Sequence, residues 1–148
     1  MLCWWSLMGN AHSKRVRQGS HGHALSSRQR RWGVALVMKL LTEEIKSQLP
    51  PFGAGFGDTV HRKDRPIICC FFTPAGMRWH WFVTEGEQQE DGDWMFYGLV
   101  HGYEKEWGYF LLSELQSADC GFGLGVERDL YFSPKTIGDL SEHPMYSD

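Results

Sequence analysis

The sequence has no Cys-x-x-Cys or His-x-x-x-His pair, no Gly-x-Ser-x-Gly, and no acidic residue among its first 37 positions. Nor does any apolar run approach the roughly 20 residues needed to span a bilayer. Each absence removes a class of protein. Without pairs at those spacings a structural zinc site is not expected, and no metal or other cofactor is assigned. The four cysteines are Cys3, Cys69, Cys70 and Cys120. Cys69 and Cys70 are neighbours on an extended run and so point to opposite faces, which suits small core residues in a reducing cytoplasm better than a disulfide framework. The missing nucleophile elbow leaves a serine hydrolase unsupported. The longest apolar stretch, Trp32 to Leu41, is broken by Lys39 and has no small-residue cleavage site, so neither a membrane helix nor a secretion signal is expected.

The lack of acid at the start divides the chain. Residues 1–37 hold six basic side chains, leaving nine basic against eighteen acidic for the rest, a net charge of −9. Arg, Ser, His, Gly and Gln follow one another there without helical or strand period. Such a segment buries too little apolar surface to offset its ordering entropy, and is expected to be a disordered basic extension. One reading makes it an arm for nucleic acid or anionic lipid. The other places the true start at Met38, where the pattern changes abruptly.

From Met38 a single domain, 38–148, is expected. Leu40, Leu41, Ile45 and Leu49 recur at helical spacing, with Thr42 as N-cap, Glu43 and Glu44 in the first turn, and Pro50 and Pro51 as the stop. Phe52 to Arg65 is a loop whose Gly53, Gly55 and Gly57 lack the strand before and helix after that a phosphate loop needs. Four strands rich in aromatics follow: Ile67 to Phe72, Arg78 to Glu85, Trp94 to His101 and Trp107 to Leu112. Strict alternation places Trp79, Trp81 and Val83 on one face of the second, with His80, Phe82 and Thr84 on the other. Ser113 is expected to cap a brief helix, Glu114 to Ala118. Val126 to Phe132 forms a fifth extended segment, and the tail from Lys135 is expected to fray. The fold class is α+β: an antiparallel sheet of four or five strands, an N-terminal helix, and a short helix before the last strand.

The most pointed polar group is Glu127, Arg128 and Asp129. Glu127 and Asp129 share a strand face, and Arg128 points away. With Tyr109 they are the ligand-binding candidates: the guanidinium fork receives a carboxylate or phosphate, and the carboxylates take a cation or act as acid and base. The plainer reading ties Arg128 to Glu104, Glu106 or Glu114 as a structural ion pair. His80 and His101 fall on adjacent strands and can share a face. Trp79, Trp81, Trp94, Trp107, Tyr97 and Tyr109 offer a base-stacking platform, but a domain at −9 lacks the phosphate-neutralising charge that nucleic-acid affinity draws on, and core packing is preferred. A third reading makes Glu85, Glu87, Glu90, Asp91 and Asp93 an acidic row that mimics DNA.

The ordered motifs MKLLTEEIKSQLPP, FFTP, WHWFVTE, FYGLVHGYEKEWGYFLLSELQS and GLGVERDLYFSP resemble the bacterial domain-of-unknown-function family 2958, over residues 38 to about 134. The resemblance implies a small accessory protein of plasmids and integrated elements, and carries over no catalytic residue. The expected function is therefore a cytoplasmic, non-enzymatic module that binds a protein partner through exposed aromatic surface.

Overall fold

Runs of alternating aromatic and β-branched side chains pair most readily with their sequence neighbours, and here they do. In the computed structural model, which describes residues 38–53, 61–74, 78–144 and 146, the strands are β1 (Cys69–Phe72), β2 (His80–Gln88), β3 (Trp94–His101), β4 (Lys105–Leu111) and β5 (Glu127–Arg128). They form one sheet in the order β4-β3-β2-β1-β5, with every pairing antiparallel. β1 to β4 are a meander. The chain then crosses the sheet to add β5 outside β1. The basic extension 1–37, with the expectation of disorder, and the glycines Gly55 and Gly57 lie outside the described residues.

Ahead of the sheet, Glu43–Gln48 form α1, where the Thr42 side chain accepts the Ile45 N–H at 3.4 Å. The helix is shorter than the leucine spacing implies, and none of its residues is fully buried. Leu40, Leu41 and Leu49 are buried, but they flank it. After β4, Leu112–Ser117 form α2, and the expected Ser113 cap is not made. The Glu114 carboxylate instead accepts the Leu111 N–H at 3.0 Å, while the Ser113 hydroxyl donates to Asp93 at the start of β3.

Both sheet faces are covered. On one, Phe71, Phe96 and Phe110 form a continuous buried ladder, with ring centroids 5.8 Å and 5.7 Å apart. On the other, Ile67, Cys70, Phe82 and Leu99 pack with Leu140 and Tyr146. Those last two correct the expectation of a frayed tail. The Lys135 carbonyl accepts the Ile67 N–H, Ile137 N–H donates to Arg65, and a 3-10 turn, Gly138–Glu142, brings Leu140 into the core.

Alternation fails at one point. The register of β2 against β3 shifts between Val83 and Glu85, leaving Thr84 as the extra residue of a β-bulge, its hydroxyl donating to the Tyr97 carbonyl at 3.1 Å. The slip turns Glu85 onto the face that holds Tyr97 and Tyr109. There it is 5% exposed and accepts Arg65 Nη1 at 3.1 Å and the Gly53 N–H at 3.2 Å. Gly98, opposite the bulge, is obligatory: a Cβ there would stand 2.0 Å from the Phe82 carbonyl oxygen.

Candidate functional site

β5 sets the positions of the three charged residues. Glu127 pairs with Phe72 and Arg128 with Phe71, so Glu127 faces the His80 side of the sheet and Arg128 the opposite side. The Arg128 N–H, which an edge strand would leave open, donates to the Met38 sulfur at 3.3 Å. Among the described residues no carboxylate lies within ion-pair distance of the Arg128 side chain. The structural pair with Glu104, Glu106 or Glu114 is therefore absent, for a topological reason. β4 and β5 are opposite edges of the sheet, four strand spacings or on the order of 19 Å apart. The same separation removes Tyr109 from the candidate set. Its ring instead meets Phe52 edge-on at 5.3 Å and Tyr97 at 4.8 Å.

Two cavities flank the segment after β5. A cleft of about 520 Å³ is lined by Arg128, Lys135, Asp129 and apolar neighbours such as Ile45, Ile67 and Leu130. A smaller cavity of about 350 Å³ is lined by Phe72, His80, Asp129, Phe132, His143 and Tyr146, with Tyr131 at its rim. Glu127 lines neither. Asp129 is the candidate both cavities share, and it is held firmly. Its N–H donates to the Cys70 carbonyl at 2.9 Å, one carboxylate oxygen accepts the Tyr131 N–H at 2.9 Å, and the other accepts the Tyr146 hydroxyl at 3.3 Å.

His80 and His101 stand directly opposite across β2 and β3, their ring centroids 6.4 Å apart. Burial, helped by His101, holds the His80 imidazole below its ordinary pKa, against the opposing pull of Asp129 and the Arg78 carbonyl. Burial also pushes the Cys69 thiol up to about 12 and that of Cys70 well above its usual range, so neither serves as a nucleophile at neutral pH. Among the described residues no three His, Cys, Asp or Glu side chains converge as a metal-ligand set.

One feature escaped the sequence reading. In the glycine-rich stretch before β5, Gly121, Phe122 and Gly123 have φ of 83°, 56° and 73°, three left-handed residues in succession. Hydrogen bonds from Cys120 N–H to the Leu124 carbonyl and from Leu124 N–H to the Gly121 carbonyl close the turn, and Asp119 accepts the Gly121 N–H. At its tip the Phe122 ring is 99% exposed. The composition DCGFGLG announces a turn, but only the backbone angles show that it carries the ring outward.

Fold and site define a small α+β protein with a closed sheet interior, a carboxylate-floored cavity beside β5 and a projecting aromatic turn. The chain belongs to the family described as Protein of unknown function (DUF2958), whose profile matches residues 40–143. That match runs past Pro134 into the tail that packs on the sheet. No curated protein and no solved structure matches the chain. No helix among the described residues is long and apolar enough to cross a membrane.

Proposed function

We propose that this chain is a non-enzymatic interaction module, a small acidic accessory protein of a bacterial mobile element, that docks a protein partner by inserting Phe122 into an apolar pocket. The observation that carries the reading is the ring itself, fully exposed on a turn whose ends are tied by backbone hydrogen bonds. A water-exposed phenyl group is unfavourable where it does nothing, and an anchor on an already ordered loop loses little entropy on docking. Leu124, also exposed, lies two residues on. The net charge of −9 over residues 38–148 favours a pocket with a basic rim and disfavours nucleic acid and anionic lipid. A cytoplasmic setting is supported by Cys69, Cys70 and Cys120, which are free thiols.

The two other readings have less behind them. A DNA mimic needs its carboxylates in an exposed row, yet Glu85 is buried against Arg65 and Asp93 is engaged by Ser113. An enzyme built on Glu127, Arg128, Asp129 and Tyr109 needs groups that lie on opposite sheet edges to meet.

The test is parallel affinity purification of the tagged full chain and its Phe122→Ala variant from the host. One polypeptide kept by the first and lost by the second supports the anchor. Identical protein profiles from the two would overturn it.

A further inference from the structure

The cavity beside β5 has an unusual balance of charge. Asp129 faces it, no Lys or Arg among the described residues lines it, and the remaining wall is mostly rings: Phe72, His80, Phe132, His143 and Tyr146. The rings are locked in place by one another. Tyr146 meets His80 edge-on at 5.1 Å and stacks on His143 at 4.9 Å, and Phe132 lies 6.0 Å from Tyr146. Ring faces carry negative potential, and a carboxylate behind them adds to it, so the volume attracts a cation that sheds water easily. A strongly hydrated ammonium is not such an ion; an alkylated one is. A volume of about 350 Å³ also falls in the range of small-molecule sites.

We propose that this cavity binds a small alkylated ammonium compound, its methyl groups against Phe72, Phe132 and Tyr146 and its charge toward Asp129. The cavity lies on a different part of the chain from the Phe122 turn, and the assignment is independent of partner docking. His80 suits the role because its imidazole is held neutral and does not repel the guest. Asp129 suits it because its two hydrogen bonds, from Tyr131 and Tyr146, leave acceptor capacity on both oxygens.

Choline is the probe, titrated into the full chain while ring resonances of His80 and Tyr146 are followed by NMR. Saturable shifts are expected, with the neutral carbon isostere 3,3-dimethylbutan-1-ol binding at least about tenfold more weakly. Asp129→Asn keeps an oxygen for the Tyr131 N–H and should lower choline affinity about tenfold. Tyr131→Ala, at the exposed rim, should weaken it without disturbing the fold, which keeps the test decisive if Asp129→Asn is unstable. No saturable shift, or equal affinity for choline and its isostere, would overturn the assignment. So would tighter binding to phosphatidylcholine vesicles than to free choline, which would make the ligand a lipid headgroup.

Discussion

Phe122 shows how a single residue can work against its own backbone. A β-carbon in the left-handed region crowds the following carbonyl, at about 1–2 kcal/mol, and glycine escapes that strain. Phe122 has φ of 56° between two glycines that have none of its difficulty. If the ring were there for stability, removing it would destabilise the fold. It is almost wholly exposed, so Phe122→Gly is expected to leave stability unchanged or raise it by up to about 1 kcal/mol, offset in part by the added freedom of the unfolded chain. Thermal midpoints of the two proteins check this. A clear drop would mean that the ring packs somewhere after all.

At the same scale, His80 ties stability to pH. Its folded pKa lies below the ordinary 6.5, so between the two values the unfolded chain takes up a proton that the folded chain refuses. Stability is therefore full above about pH 6.5, falls as the pH drops through that value, and levels off once the folded imidazole also protonates. The groups facing His80 are His101 from β3, Asp129 after β5, and His143 and Tyr146 from the tail. Denaturant midpoints at about pH 8 and about pH 5.5 should differ more for the native chain than for His80→Gln. An unchanged slope in the variant would assign the effect to other groups.

Among the elements, the β-bulge in β2 does the most to shape the surface. By strict alternation Glu85 would fall on the Val83 face, among the phenylalanines. The extra residue Thr84 sends it instead to Tyr97, where Arg65 meets it and lies over the Tyr97 and Trp107 rings, 5.8 Å and 5.5 Å from their centroids. A buried charge with its partner and a backbone donor is tolerable; the same charge in the phenylalanine ladder would not be. Gly98 makes the bulge possible by leaving room for the Phe82 carbonyl. Gly98→Ala forces backbone apart and is expected to destabilise by about 3 kcal/mol, measured by denaturant unfolding. A loss under about 1 kcal/mol would show that the sheet accommodates a methyl group there.

The bulge also marks how far a sequence can be read. Strands with a hydrophobic period and Gly or Pro bounds were legible, and β3 falls at Trp94–His101 as the alternation implies. A bulge has no signature in alternation until its pairing partner is known, so Glu85 was misplaced among exposed carboxylates. β5 was expected to run to Phe132, but only Glu127 and Arg128 pair, because the chain turns at Asp129 to build the cavity wall. Of the candidates Glu127, Arg128, Asp129 and Tyr109, Arg128 lines the larger cavity and Asp129 lines both. Tyr109 was added without knowledge of strand order, which places it at the far edge.

For the molecule as a whole, the C-terminal stretch belongs to the core. The leucine and tyrosine that bury there stand among polar residues at no regular spacing, so periodicity could not reveal them. Tyr146 closes one side of the ligand cavity while packing on Phe82 at 5.2 Å, and its carbonyl accepts Lys105 Nζ at 3.3 Å. Tyr146→Ala is expected to lose about 3 kcal/mol of stability and the choline response together. Loss of neither would detach the tail from the sheet.

Among the described residues Phe122 carries the most exposed ring, and partner binding through it is the point on which the functional reading stands. The most direct measurement is the dissociation constant of the captured partner by titration calorimetry, for the native chain and for Phe122→Ala, with unfolding midpoints measured alongside. A loss of at least about tenfold at an unchanged midpoint is expected, as for a buried aromatic anchor. Equal affinities for the two proteins would contradict it.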